Sequence, residues 1–217
     1  MNQKTFLNFL RKRFWFVIAF YQLILAKQSY MRYTGWIESL KQGYPCGADR
    51  SEVPWMNYPM VTILKERLSK DLILFEFGSG YSTLFYAKLV RLVISVEHDK
   101  SWLNLMKPKM PDNVSLIYKE EDVDGVYCRS ILEFDREFDI VVVDGKDRMN
   151  CVQQAIKKLS PIGAIVLDDT GRKEYLEIIN YVKTKGFLAL GLEGLKPNSR
   201  RVQRATIFYR QNNCLNI

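Results

Sequence analysis

In the stretch FEFGSGYST, residues 75–83, an acid stands two residues ahead of a Gly-Ser-Gly turn. Glycines in such a turn can cradle a phosphate, tighten the chain or admit a ligand to the backbone. A pyrophosphate would be repelled by Glu76. The dinucleotide frame GxGxxG is also incomplete, because Gly78 and Gly80 are followed by Thr83. A ligand end carrying an ammonium group would instead be held by Glu76, with its carboxylate at the next helix N-terminus near Ser79 and Ser82. Glu97 closes the apolar run of VISVEHD, about 20 residues on, where an acid suits a pair of ribose hydroxyls. An amino-acid head joined to a ribose describes S-adenosylmethionine.

Such residues need a scaffold that brings them to one edge. Short, nearly continuous apolar runs at 72–77, 92–96, 114–118, 138–143 and 164–167 read as strands. Between and around them, 60–68, 82–90, 101–106, 150–159 and 173–185 have helical spacing, with Pro161-Ile162-Gly163 as the break before the fifth strand. Two further apolar segments, 187–192 and 205–209, follow without an intervening helix and are expected to pair antiparallel. The pattern predicts an α/β fold: a doubly wound, mostly parallel seven-stranded sheet with an antiparallel last strand, plus an N-terminal helical arm. Ligands of such sheets bind outside the carboxyl ends of the strands. Four of the five parallel strands end in acids there: Glu76, Glu97, Asp144 and the pair Asp168-Asp169.

The chain of 217 residues fits one domain, and 47% apolar residues are ample for one core. Cys46, Cys128, Cys151 and Cys214 lie far apart without metal-ligand spacing, which favours reduced thiols in a cytoplasmic setting. A single histidine, His98, excludes multi-histidine metal sites. The net charge of +8 is lopsided: six cations and no acid fall in the first 37 residues, and later charges nearly balance. The division expected is a basic amphipathic helical arm (1–40), a loop and lead-in helix (41–71) and a cofactor-binding domain (72–217).

Within the arm, the uncharged run 14–26 is shorter than the roughly 20 residues that span a bilayer. Lys27, Gln28 and Tyr30 stand where a signal peptide would need small residues. Residues 1–34 are therefore expected either to lie on the inner face of an anionic membrane or to pack on the domain or on a second copy in a homodimer.

FEFGSG, the acid of VISVEHD, FDIVVVDG and GAIVLDD resemble, in order and spacing, the motifs of class I, Rossmann-like S-adenosylmethionine-dependent methyltransferases, over residues 72–210. VPWMNYP and VDGKDR also resemble bacterial methyltransferases of surface-polysaccharide pathways. The resemblance implies that Glu76, Gly78, Ser79, Gly80 and Ser82 line the methionine part and that Glu97, with His98 beside it, holds the ribose. An acid after the third strand would meet adenine; Glu120, Glu121 and Asp122 qualify, with Asp122 favoured.

Methyl transfer to a hydroxyl needs a positioned acceptor and a base or metal for its proton. Asp144 is the first candidate, with Lys146 as a second base or an exposed loop lysine. Asp144, Asp168 and Asp169 could together hold Mg²⁺, as in similar metal-dependent O-methyltransferases; the other reading is that Asp168, Asp169 or Thr170 caps the following helix. Arg148 could hold an anionic acceptor, and Trp55 and Tyr58 could stack on a sugar or pack the loop. Arg200, Arg201 and Arg204 either recognise an anion or form a solvated loop. The function expected is O-methylation of a carbohydrate or other small hydroxylated acceptor. A nucleic-acid methyltransferase is less favoured, because the fourth strand does not end in Asn/Asp-Pro-Pro-aromatic. A non-catalytic scaffold of the same fold and a dinucleotide oxidoreductase rank lower.

Overall fold

A computed structural model describes residues 3–217; Met1 and Asn2, part of the expected arm, lie outside the described residues. The strands are β1 (Ile73–Phe77), β2 (Leu92–Glu97), β3 (Val114–Tyr118), β4 (Phe138–Val143), β5 (Leu159–Leu167), β6 (Leu188–Leu195) and β7 (Val202–Tyr209). They form one sheet in the order β3-β2-β1-β4-β5-β7-β6, with β7 antiparallel to both neighbours and the first five strands parallel. Strand order reverses between β1 and β4, so the switch point lies between Glu76–Gly80 and Asp144–Gly145.

Alternation along the strands sorts side chains to two faces. Leu74, Val93, Ile140 and Val166 pack with Met60, Leu64 and Tyr86 of α4 (Tyr58–Arg67) and α5 (Tyr81–Leu89). Phe75, Val96, Val141 and Leu167 face the opposite layer of α7 (Val126–Arg129), α8 (Arg148–Lys158) and α9 (Leu176–Thr184). Glu76 has the parity of Leu74, so it points under α5. Helix α6 (Lys100–Met106) covers the edge near β2 and β3, capped by Asp99 through Ser101 and Trp102 N–H.

Several boundaries differ from the sequence reading, among them that β6 ends at Leu195, β7 begins at Val202 and α8 begins at Arg148. Strand β5 begins at Leu159 and runs through Pro161-Ile162-Gly163, which form a register shift against β4 rather than a helix-to-strand spacer. A bulge tolerates proline because no ladder hydrogen bond is lost there. Helix α4 starts two residues earlier than expected, because the Asn57 side chain accepts from Met60 N–H and Pro59 fits the first turn. Residues 120–133, for which the sequence reading assigns no element, contain the turn of α7.

The arm divides. Helix α1 (Gln3–Phe20), interrupted at Phe14, continues into a wide turn over Tyr21–Leu25. From residue 11 onward its side chains are mostly exposed; Trp15, Phe16, Phe20 and Tyr21 each keep over half their surface open, at 67, 56, 56 and 58%. From residue 11 to 21 this stretch does not pack on the domain in this structure. Helices α2 (Tyr30–Tyr33) and α3 (Trp36–Gln42) dock instead: Ser29 and Ser39 are buried, and Trp36 Nε1 donates to Ser199 O at 2.8 Å. Among the described residues no helix is long and apolar enough to cross a membrane. All four cysteines are free.

Candidate cofactor and acceptor site

The Gly-Ser-Gly turn leaves β1 with Gly78 at φ +97°, a left-handed conformation that favours glycine. A Cβ there would press on Gly145 N at 3.2 Å, so the ends of β1 and β4 cross in near contact. Gly145 answers the same constraint, since a Cβ on it would collide with the Tyr127 hydroxyl. That hydroxyl is buried without a hydrogen-bond partner.

Glu76 is 1% exposed. Ser82 Oγ donates to its Oε1, and Thr83 Oγ1 and Ser95 Oγ donate to Oε2 at 2.6 and 2.9 Å. Burial pushes its pKa up to about 7, against the pull of those three hydroxyls. A carboxylate accepts about four hydrogen bonds, so one position on Oε1 stays open. Thr83, standing where a dinucleotide motif would have its third glycine, also accepts from Gly80 N–H at 3.0 Å. Sequence reading did not single out Thr83 or Ser95; the signal for Ser95 was a lone hydroxyl inside the buried strand LVISVE, in register with Glu76.

Glu97 is 3% exposed and takes four donors. Ser79 N–H and Oγ reach Oε2 at 3.0 and 2.8 Å, and the His98 and Asp99 amides reach Oε1 at 2.9 and 2.8 Å. Among the described residues neither Glu76 nor Glu97 has a lysine or arginine partner. His98 Nδ1 lies 3.0 Å from Glu97 Oε1 but out of line for a hydrogen bond, and its ring packs edge-on to Tyr127. Glu121 links His98 and Lys146 at 3.7 and 3.4 Å, forming a rim over the cleft. Asp122 does not face this cleft as a free acceptor; its oxygens take Val126 and Tyr127 N–H at 2.6 and 3.0 Å and cap α7.

The acids of β4 and β5 are arranged differently. Arg148, expected at an anionic acceptor, is buried and spans the strand ends. It donates to Gly145 O at 3.0 Å, Asp168 O at 2.6 Å and Asp144 Oδ1 at 3.0 Å, and packs over Tyr175. Asp168 is 2% exposed and is held by Gln203 Nε2, whose own carbonyl accepts from Asn57 N–H and Nδ2. Asp169 pairs with Arg172 at 2.6 Å, and Thr170 with Thr206 at 2.8 Å, so neither the metal nor the helix-capping reading describes them. No group of three potential metal ligands occurs among the described residues. A guanidinium stands where Mg²⁺ would have to sit, and the donor set does not fit that ion.

Burial, and then repulsion from Asp169 set against the attraction of Arg148, leaves Asp144 with a raised pKa. Burial and the neighbouring Asp144 and Asp169 charges hold Asp168 well above the carboxylate range. Of the three acids Asp144 is the most open, its side chain 27% exposed against 13% for Asp169. Lys146 is half-exposed, without the burial a lysine base requires. Tyr58 belongs to the core, where burial pushes its pKa up to about 12, and it does not reach the cleft rim. Trp55 stays half-exposed, its indole N–H fixed to Pro197 O at 2.8 Å.

This sheet order, with β7 inserted antiparallel between β5 and β6, defines the Rossmann-like fold of class I methyltransferases. The chain is similar to precorrin-6y C5,15-methyltransferase from Geobacter metallireducens GS-15, with 16% identity over 71% of this chain and 88% of that one at a TM-score of 0.54. It is also similar to an rRNA methylase from Streptococcus thermophilus, with 16% identity, 70% and 96% coverage and a TM-score of 0.55. A third similar structure is SMU.1697c from Streptococcus mutans, solved in complex with SAH, with 16% identity, 68% and 94% coverage and a TM-score of 0.52. No family model matches the chain, and no curated protein matches it in sequence.

Proposed function

We propose that this chain is an S-adenosylmethionine-dependent methyltransferase that methylates a hydroxyl of a carbohydrate or similar acceptor. The observation that carries the reading is the pair Glu76 and Glu97 at the switch point, both buried and both satisfied only by neutral donors. Buried acids without a cation are costly and mark sites that a ligand completes. Glu76, with its open position on Oε1, would hold the cofactor's ammonium, and Glu97 would hold its ribose hydroxyls in place of Ser79. The unpartnered Tyr127 hydroxyl and the Gly78–Gly145 crossing lie beside the same strand ends. When bound, the cofactor supplies an electrophilic sulfonium methyl. Asp144 would take the proton of the acceptor hydroxyl; its raised pKa suits a base, and Arg148 fixes its orientation. The likeness to an rRNA methylase keeps nucleic acid as a second reading; the end of β4, Asp144-Gly145-Lys146, offers no stacking aromatic for a flipped base.

Titration of S-adenosylhomocysteine into wild type and Glu97→Ala tests the cofactor reading. Micromolar binding, about 8 kcal/mol, that is lost in the variant supports it; no binding in the wild type ends it.

The arm suits a reaction at the surface of an anionic membrane. Large apolar side chains from Phe14 to Leu25 are exposed around the whole helix, and Arg11, Lys12, Arg13 and Lys27 flank them. A helix apolar on all sides needs an apolar medium around it, and flanking cations match acidic headgroups. Co-sedimentation with vesicles containing phosphatidylglycerol should be lost on removing residues 1–34. Unchanged sedimentation, or a dimer that dissociates on the same truncation, would show that the arm serves another partner.

A further inference from the structure

Beside Asp169, at the C-terminal end of β5, a groove of about 410 Å³ runs along the β6–β7 hairpin. Its charged lining is Arg172, Lys196, Arg201 and Arg204 against the single acid Asp169. Arg172 is shared with Asp169 and Arg204 with Glu193 at 3.0 Å, while Lys196 and Arg201 have no carboxylate partner among the described residues. Of the four cations around this small concavity, carboxylates balance Arg172 and Arg204 but not Lys196 and Arg201.

The hairpin loop that carries two of these cations is held in place. Trp55 Nε1 donates to Pro197 O and Trp36 Nε1 to Ser199 O, both at 2.8 Å. These two indoles come from the docked part of the arm and from the lead-in loop, more than 140 residues away in sequence. Arg204 is placed by Gly191, where a Cβ would collide with its guanidinium. Lys196 lies 5.9 Å from the Trp55 ring centroid, so a half-exposed aromatic face adjoins the cations. Asp169, on the groove wall, lies 4.0 Å from the Arg148 guanidinium that holds Asp144 at 3.0 Å, which puts the groove next to the proposed base.

We propose that this groove is an oxyanion subsite for the acceptor: Lys196 and Arg201, steadied by Arg172 and Arg204, bind a phosphate or carboxylate on a sugar whose hydroxyl lies toward Asp144. Guanidinium groups match both oxyanions in fork geometry, and an aromatic face suits a sugar ring. The word acceptor rests on the methyltransferase reading; the anion site does not.

The test uses the full chain labelled with ¹⁵N. Glucose 6-phosphate, glucuronate and neutral glucose are titrated while the indole N–H signals of Trp55 and Trp36 are followed, with S-adenosylhomocysteine affinity measured separately. One or both charged sugars should shift the two signals, and glucose should not; which of them binds more tightly identifies the oxyanion. The double variant Lys196→Ala/Arg201→Ala should weaken that binding by about tenfold or more, with S-adenosylhomocysteine affinity unchanged. Absence of shifts with both anions, or equal binding by the double variant, overturns the subsite. Tighter binding of a short RNA oligonucleotide through the same loop overturns the sugar assignment. Anion binding in a chain that fails to bind S-adenosylhomocysteine would keep the subsite and remove the methyltransferase reading.

Discussion

One edge of the sheet carries two sets of acids whose counter-groups differ. At the ends of β1 and β2, Glu76 and Glu97 accept only hydroxyl and amide donors. At the ends of β4 and β5, Asp144 and Asp169 are tied to Arg148 and Arg172, and Asp168 to Gln203. Neutral donors can be exchanged for a ligand's cation or hydroxyls at modest cost, whereas a buried ion pair resists such exchange. The first half of the edge therefore has exchangeable donors throughout, whereas in the second Asp144 and Asp169 have cation partners and only Asp168 shares the neutral kind. An acid at a strand end is thus not enough to define a site; the character of its counter-group is what matters.

The largest effect should come from breaking the cation-paired half. Arg148→Ala leaves Asp144 buried without its cation and Asp168 O without a donor, and should cost about 3–5 kcal/mol in urea unfolding. A loss below about 1 kcal/mol would mean that the two halves do not differ as described. Next comes the half with exchangeable donors: Glu97→Ala should weaken S-adenosylhomocysteine binding by about 100-fold or more, the loss expected from two hydrogen bonds to a charged group.

The raised pKa of Glu76 sharpens the contrast further. In the free chain it is protonated below about 7, and a ligand ammonium favours the ionised form. Binding should therefore release a proton and strengthen on the order of tenfold from pH 5.5 to 7.5. Calorimetry in buffers of different ionisation enthalpy reads that proton, and Glu76→Gln should flatten the profile. The same shift makes the ligand-free fold lose stability as pH rises from 4.5 through about 7, a loss that the variant removes. Smaller still, Ser79→Ala should leave affinity equal or a few-fold higher, since Ser79 competes with the ribose for Glu97; a large loss would show that Ser79 itself contacts the cofactor. The smallest change expected is with EDTA, under about twofold in methyl transfer, because Arg148 and Arg172 already occupy Asp144 and Asp169.

Much of the fold could be read directly. The apolar runs of β3 and β4 match their observed bounds, and the antiparallel pairing of β6 and β7 follows from the missing helix between them. The bulge of β5 was hidden because Pro161 and Gly163 signal a break in any sequence, and only pairing with β4 shows the chain continuing through it. The α7 turn was hidden because its cap, Asp122, was assigned to a ligand.

Sequence alone determined the alternation of strand and helix, the glycine turn and the row of acids at the strand ends. These depend on local periodicity and on which residue types a turn admits. Tertiary structure decided what each acid meets. Ser95 reaches Glu76 from the neighbouring strand, Gln203 reaches Asp168 from the hairpin, and Trp36 and Trp55 set the loop of Lys196 and Arg201 from the other end of the chain. No spacing rule encodes such partners, because the sheet brings together side chains whose separation in sequence sets no limit on their separation in space.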